Sequence, residues 1–167
     1  MGTLHFSKAV AALTVVCASI SSAYAVTVSR ADGQPMNPNG EPFSVSGSMA
    51  LSKSGISATC NTTFNGTITS GGIVTITSTQ FAGGGTCSWI SSNATSSSPW
   101  TGQADSTTQL TINNAQVQVL FLGTCGPSKV VAGWDNKASS LTLNNAQLTP
   151  NCQINGTMVT SPQFTVQ

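Results

Sequence analysis

Charged side chains are scarce in this chain. Its 167 residues include 5 Lys or Arg, 4 Asp or Glu, and one His at position 5. This composition offers no basic patch for nucleic acid or anionic lipid. Because His5 lies in a segment that we predict to be removed, the remaining chain cannot build a Ser-His-Asp site, a Cys-His site or a His-ligated zinc site. We therefore predict no enzyme activity, no catalytic residue, no metal and no cofactor.

A hydrophobic run long enough to span a membrane is also missing. Residues 9–20 form a short apolar run that follows Lys8 and precedes Ala23-Tyr24-Ala25, a pattern typical of a signal peptide. We predict that residues 1–25 are cleaved after Ala25 and that the protein is secreted. The mature chain then carries four cationic and four anionic side chains, and its zero net charge leaves self-association possible.

Four cysteines remain after this cleavage, at positions 60, 87, 125 and 152. An even number in an exported chain indicates two disulfides. Equal spacing favours Cys60–Cys87 with Cys125–Cys152. The flanking motifs run in the order A-B-B-A, so the pairing Cys60–Cys152 with Cys87–Cys125 also stays open. No pair of cysteines has the CxxC spacing of a zinc site.

Internal repeats point to an all-β fold. Three similar octapeptides occupy 74–81, 110–117 and 141–148, and the unit x-[Asn/Ser]-Gly-[Ser/Thr]-x surrounds Gly47, Gly66 and Gly156. A glycine within a strand marks a bulge or a close backbone approach, so we interpret Asn65-Gly66 as part of a strand and not as a hairpin turn. Short alternating strands separated by Gly, Asn and Ser predict an antiparallel β-sandwich, Ig-like or jelly-roll-like, with internal strand repeats and two disulfides.

The predicted sandwich domain spans residues 43–167. Residues 26–42 form a Pro-, Gly- and Asn-rich leader, interpreted either as a flexible arm or donor strand, or as a loop that edges the domain. In residues 116–122, Val117, Val119 and Phe121 lie on one face and Leu120 and Leu122 on the other, which predicts a central strand that is apolar on both sides; the alternative is an exposed apolar ribbon. Asn113-Asn114 is predicted to break the preceding strand.

Tryptophan and leucine side chains supply the candidate contact surface. Trp89 and Trp100 flank a Ser-rich loop, and both rings could contact an apolar or sugar ligand or could plug the ends of the core. The possible apolar or ligand-contact surface comprises Trp89, Trp100, Trp134, Leu120 and Leu122.

Several segments resemble the PraB family of pseudomonads, whose members are described as protein activators of alkane oxidation: residues 44–55, 59–67, 123–127, 131–136 and 152–162. The resemblance implies a small secreted, non-catalytic protein that promotes growth on long-chain n-alkanes by aiding hydrocarbon dispersion or access at the oil–water interface. The alternative is a structural β-protein of a biofilm matrix or adhesive surface, whose partners are cell-surface or matrix components.

Overall fold

The computed structural model describes residues 26–167, so the predicted signal peptide lies outside the described part. This part contains a short 3-10 helix, Gly85–Trp89, and eleven strands: β1 Val28–Arg30, β2 Glu41–Lys53, β3 Ile56–Ile68, β4 Ile73–Ala82, β5 Ile90–Ser92, β6 Trp100–Ser106, β7 Gln109–Val119, β8 Gly123–Asp135, β9 Ser140–Leu148, β10 Cys152–Ser161 and β11 Phe164–Val166. Within residues 26–167 no helix is long and apolar enough to cross a membrane.

Eight strands close into an antiparallel barrel in the order β2-β3-β4-β6-β7-β8-β9-β10, and β10 pairs with β2 to complete the circle. The all-β prediction is confirmed, whereas the predicted sandwich is corrected to a closed barrel. The correction has a simple physical reason. One buried face per strand produces the same alternation in both architectures, and closure additionally pairs the first and last long strands, which removes their open edges.

Strands β5 and β6 pair with successive parts of the same strand, β7. Ile90 pairs with Val119, and Thr101 pairs with Asn113, so β5 and β6 both lie against β7. The Ser-rich loop separates these two segments. Beside β5, the Oγ atoms of Thr79 and Ser92 are 2.6 Å apart and link it to β4.

Apolar side chains fill the barrel. Trp100 packs edge-on against Phe64 with ring centroids 5.7 Å apart, and both rings are buried. One end is covered by a small sheet of β1 and β11, whose Phe164 packs at right angles on Phe43. We call this end the mini-sheet end.

Both disulfides lie at the opposite end, which we call the disulfide end. They join Cys60 to Cys87 and Cys125 to Cys152, each across 27 residues of sequence. The pairing favoured by the equal spacing is therefore confirmed.

The three octapeptides form equivalent bulged strands. The register shifts after Ile76 in β4, after Ile112 in β7 and after Leu143 in β9. In the last two, Asn114 and Asn145 have φ of 61° and 51°. The break predicted at Asn113-Asn114 is corrected, because β7 continues through this bulge; asparagine tolerates the left-handed conformation that the extra residue requires.

The repeated glycines permit close backbone contacts, as predicted. A Cβ placed on Gly66 would lie 1.9 Å from the carbonyl oxygen of Thr75, and one on Gly47 would lie 2.2 Å from that of Thr157. Asn65-Gly66 lies inside β3, opposite the bulge of β4.

Candidate functional site

An exposed group of large apolar side chains lies at the disulfide end. Phe121 is 86% exposed, Leu120 48%, Ile56 43% and Trp89 39%. Partly buried Leu122 lines a small crevice together with Ile56 and Trp89. These five residues belong to the β2–β3 turn region, the 3-10 helix and the β7–β8 turn, and we call them the apolar tip.

Phe121 occupies a conformation that bulky residues rarely adopt. The chain turns between β7 and β8, where the backbone N–H of Leu122 donates to the carbonyl of Val119 at 3.0 Å. Phe121 is the third residue of this turn and has a φ of 66°, at a position usually held by glycine or asparagine. The turn therefore holds an aromatic ring in solvent at a cost in backbone strain.

Several contacts fix the tip. The rings of Trp89 and Phe121 meet edge to face with centroids 6.3 Å apart. The backbone N–H of Leu120 donates to the carbonyl of Trp89 at 2.8 Å, and Cys87 ties the 3-10 helix to β3. Because these contacts join the 3-10 helix, β3 and the β7–β8 turn, they hold the two exposed rings in place.

A buried lysine contacts β8, the second strand of the β7–β8 hairpin. Lys53 Nζ donates to the carbonyl of Thr124 at 2.6 Å and lies 3.7 Å from Cys125 Sγ. The side chain is only 8% exposed. Its ammonium group is held against the backbone of β8, and Lys53 also lines a polar depression together with Ser52, Ser54, Gln147 and Asn151.

Charged side chains concentrate at the mini-sheet end. Asp105 lies near the β6–β7 turn, Asp135 and Lys137 lie in or beside the β8–β9 turn, and Lys129 lies midway along β8. Three further charged residues at the mini-sheet end form the cluster described next. Lys53 lies at the disulfide end. The barrel is thus polarised along its axis, with an uncharged apolar tip at one end.

Arg30 joins two carboxylates in this cluster. Its guanidinium donates to Asp32 at 2.6 Å and to Glu41 at 2.5 Å. The hydrogen bond from Arg30 lowers the pKa of Asp32 to about 2. The pKa of Glu41 is lowered by the backbone N–H of Asn37 and then by Arg30, while the carboxylates raise the pKa of Arg30. Each of the three guanidinium nitrogens of Arg30 donates within the cluster, so we interpret the cluster as a structural link between β1 and β2.

The barrel interior contains small apolar voids. One of about 30 Å³ lies near Phe64 and Trp100, and one of about 40 Å³ lies near Phe43 and Phe164. A benzene-sized guest occupies a cavity on the order of 150 Å³. Neither void is large enough for a long-chain alkane, so contact with such a molecule would have to involve the outer surface.

The outer wall is polar and nearly uncharged. The adjacent strands β4, β3, β2, β10 and β9 contain two charged residues, Glu41 and Lys53, which are buried at the ends of β2. The remaining outward positions are mainly Ser, Thr, Asn and Gln. Hydroxyl pairs cross between strands, as with Thr142 and Thr157, whose Oγ1 atoms are 3.0 Å apart.

The predicted contact residues lie in three places. Trp89, Leu120 and Leu122 meet at the apolar tip. Trp100 is 4% exposed in the core, where its Nε1 donates to Asn93 at 2.8 Å. Trp134 is half-buried at the mini-sheet end, with its Nε1 donating to Asn136 at 2.8 Å.

Sequence reasoning missed Phe121 as an exposed residue. The central-strand prediction placed Phe121 on the same face as Val117 and Val119, which are buried, but β7 ends at Val119 and the turn reverses this parity. Ile56 was also missed, although its position directly after Ser54-Gly55 was a signal that it begins a strand at a turn. Within residues 26–167, no group of three or more His, Cys, Asp or Glu side chains could hold a metal ion.

Comparison with known proteins gives one family. The sequence pattern described as "Alkane oxidation protein activator PraA/PraB-like" matches residues 1–167. Neither the curated proteins nor the solved structures contain a significant match.

Proposed function

Because the chain belongs to the PraA/PraB-like family of alkane oxidation protein activators, we propose that it is a secreted, non-catalytic protein that promotes growth on long-chain n-alkanes. It does so by adsorbing at the oil–water interface, where it aids hydrocarbon dispersion or access. Residues 26–167 form a packed apolar core, two disulfides and a largely uncharged polar surface. Residues 26–167 contain no histidine, the side chain that most often serves as a general acid or base.

The exposed apolar area at the disulfide end carries this proposal. Burial of apolar surface contributes about 25 cal/mol per Å², so a patch of a few hundred Å² is enough to hold the protein at an interface. The net charge of residues 26–167 is zero, so adsorbed copies repel one another weakly. Two disulfides suit an oxidising compartment outside the cytosol.

Pendant-drop tensiometry against hexadecane tests the proposal. The purified protein should lower the interfacial tension and reduce the droplet size, with and without rhamnolipid, more than a net-neutral globular protein of equal size that lacks exposed aromatic residues. Equal behaviour of the two proteins would contradict interfacial adsorption as the function.

The uncharged hydroxyl-rich wall favours a second candidate, a structural subunit of a biofilm matrix or adhesive surface. Growth of a deletion strain separates the two candidates. A defect confined to alkane, restored by added protein, supports the activator. A pellicle or attachment defect on both alkane and succinate supports the matrix role.

A further inference from the structure

We propose that the barrel adsorbs end-on, with the apolar tip as its contact element and the saturated chains of a liquid hydrocarbon as the partner. Phe121 and Trp89 enter the hydrocarbon, and the mini-sheet end faces water. This inference rests on the proposed function and names the surface that carries it.

The size of the tip argues against a protein partner. Fully accessible aromatic side chains present roughly 150–250 Å² each, so the partial exposures of Ile56, Trp89, Leu120 and Phe121 amount to on the order of 400 Å². A stable protein interface buries about 800 Å² on each partner. Phe121 is also 86% exposed at a turn, and a liquid can surround such a ring without providing a matching groove.

The distribution of charge defines the orientation. Arg30, Asp32 and Glu41 lie at the mini-sheet end, and the single cation near the tip, Lys53, is buried against Thr124. Inserting the tip therefore desolvates no exposed charge, whereas inserting the opposite end would.

Among residues 26–167 no exposed cation surrounds the tip, which favours hydrocarbon over a lipid surface as the partner. Amphipathic segments that lie on a bilayer are buried about 5–10 Å into the boundary between headgroups and acyl chains, and they commonly carry Lys or Arg that face the headgroups. Lys129 is the nearest exposed cation in the described chain and lies midway along β8. A bare alkane surface has no headgroup layer, so a short uncharged tip reaches its partner directly.

The first test compares matched substitutions. Asn is suited to the positive φ of position 121, so Phe121→Asn removes the ring while preserving the turn. We expect adsorption to hexadecane to require roughly 10- to 100-fold more protein. As controls, Val131→Thr and Val159→Thr remove half-exposed apolar groups from the wall and should change adsorption less than about twofold.

The second test reads orientation from tryptophan fluorescence. Bromohexadecane mixed into the droplets quenches a tryptophan that enters the oil. In Trp134→Phe, emission from Trp89 should be quenched and shifted to the blue. In Trp89→Phe, emission from Trp134 should stay near its value in buffer, while buried Trp100 contributes equally to both variants.

The outcomes separate this inference from the proposed function. If the wild-type protein adsorbs but Phe121→Asn adsorbs equally well, or if Trp89 and Trp134 are quenched alike, the end-on inference is overturned and interfacial adsorption stands. If the wild-type protein does not adsorb, both are overturned. If vesicles of brominated phosphatidylcholine quench Trp89 as strongly as the bromohexadecane droplets do, the assignment to hydrocarbon is overturned.

Discussion

At the scale of single residues, Phe121 combines backbone strain with solvent exposure. We predict that Phe121→Gly changes the free energy of unfolding by less than about 1 kcal/mol. Relief of the left-handed conformation, about 1–2 kcal/mol, offsets the lost contact with Trp89, about 0.5–1.5 kcal/mol, and the greater freedom of unfolded glycine, about 0.5–1 kcal/mol. Urea unfolding provides the measurement.

Phe64 supplies the reference for this prediction. It is buried against Trp100, so Phe64→Ala should cost roughly 3–5 kcal/mol. A comparable loss in Phe121→Gly would identify Phe121 as a stabilising residue and would contradict its assignment as a contact residue maintained at little benefit to folding.

Some residue positions were predictable because local pattern determined them. Phe43, Val45, Met49 and Leu51 alternate with serine and alanine and are all buried, as their parity predicts. Phe121 was not predictable in this way. Its turn has leucine and phenylalanine at the central positions, so Gly123, with a φ of 84°, was the one local sign that the strand had already ended.

At the scale of elements, a glycine in β3 permits the close approach of β4. We predict that Gly66→Ala destabilises the barrel by roughly 1–3 kcal/mol, because the new methyl group would collide with the backbone of Thr75. Gly71→Ala is the matched control, since its nearest neighbour, Thr69 Oγ1, lies 3.9 Å from the added Cβ. Thermal unfolding of both variants checks the difference; equal melting temperatures would contradict the close contact.

The octapeptide repeats show what a sequence pattern can and cannot specify about an element. Their similarity predicted equivalent strands, and they do form equivalent bulged strands. The Asn-Asn pair was interpreted as a break, because asparagine is depleted in strands and enriched in turns. Whether such a residue ends a strand or is absorbed as a bulge depends on pairing with neighbouring strands, which local sequence does not contain.

The cluster of Arg30, Asp32 and Glu41 gives the leader a pH-dependent link to β2. The pKa of Asp32 is depressed from its ordinary value of 3.8 to about 2, so the unfolded chain takes up protons first as the pH falls. The stability contributed by this pair is therefore complete above pH 4 and is lost between about pH 4 and pH 2.

We predict that the melting temperature of the wild-type protein falls across this interval. The melting temperature of Asp32→Asn should fall less, because this variant already lacks the ion pair with Arg30. Calorimetry between pH 7 and pH 2 measures both profiles. Parallel profiles for the wild-type protein and the variant would show that other carboxylates dominate acid unfolding.

At the scale of the whole molecule, barrel closure was beyond what the sequence could specify. Alternating strands and Gly- or Asn-rich turns predicted antiparallel neighbours, and these occur throughout. Closure depends on strand tilt, register shift and the pairing of β2 with β10, contacts far apart in sequence. The bulges and interior glycines increase strand bending, and their combined effect on curvature becomes visible only when all eight strands are assembled.

The two disulfides allow a whole-molecule test of how the barrel is stabilised. Each closes the same separation of 27 residues, so removal of either should raise the entropy of the unfolded chain equally, at a cost of about 3.5 kcal/mol. We predict that the double variants Cys60→Ala/Cys87→Ala and Cys125→Ala/Cys152→Ala unfold in urea with similar losses. A clear inequality would mean that native contacts outweigh chain entropy. A larger loss for the second pair would implicate Lys53, because its contacts with Thr124 and Cys125 Sγ depend on where that disulfide holds the start of β8.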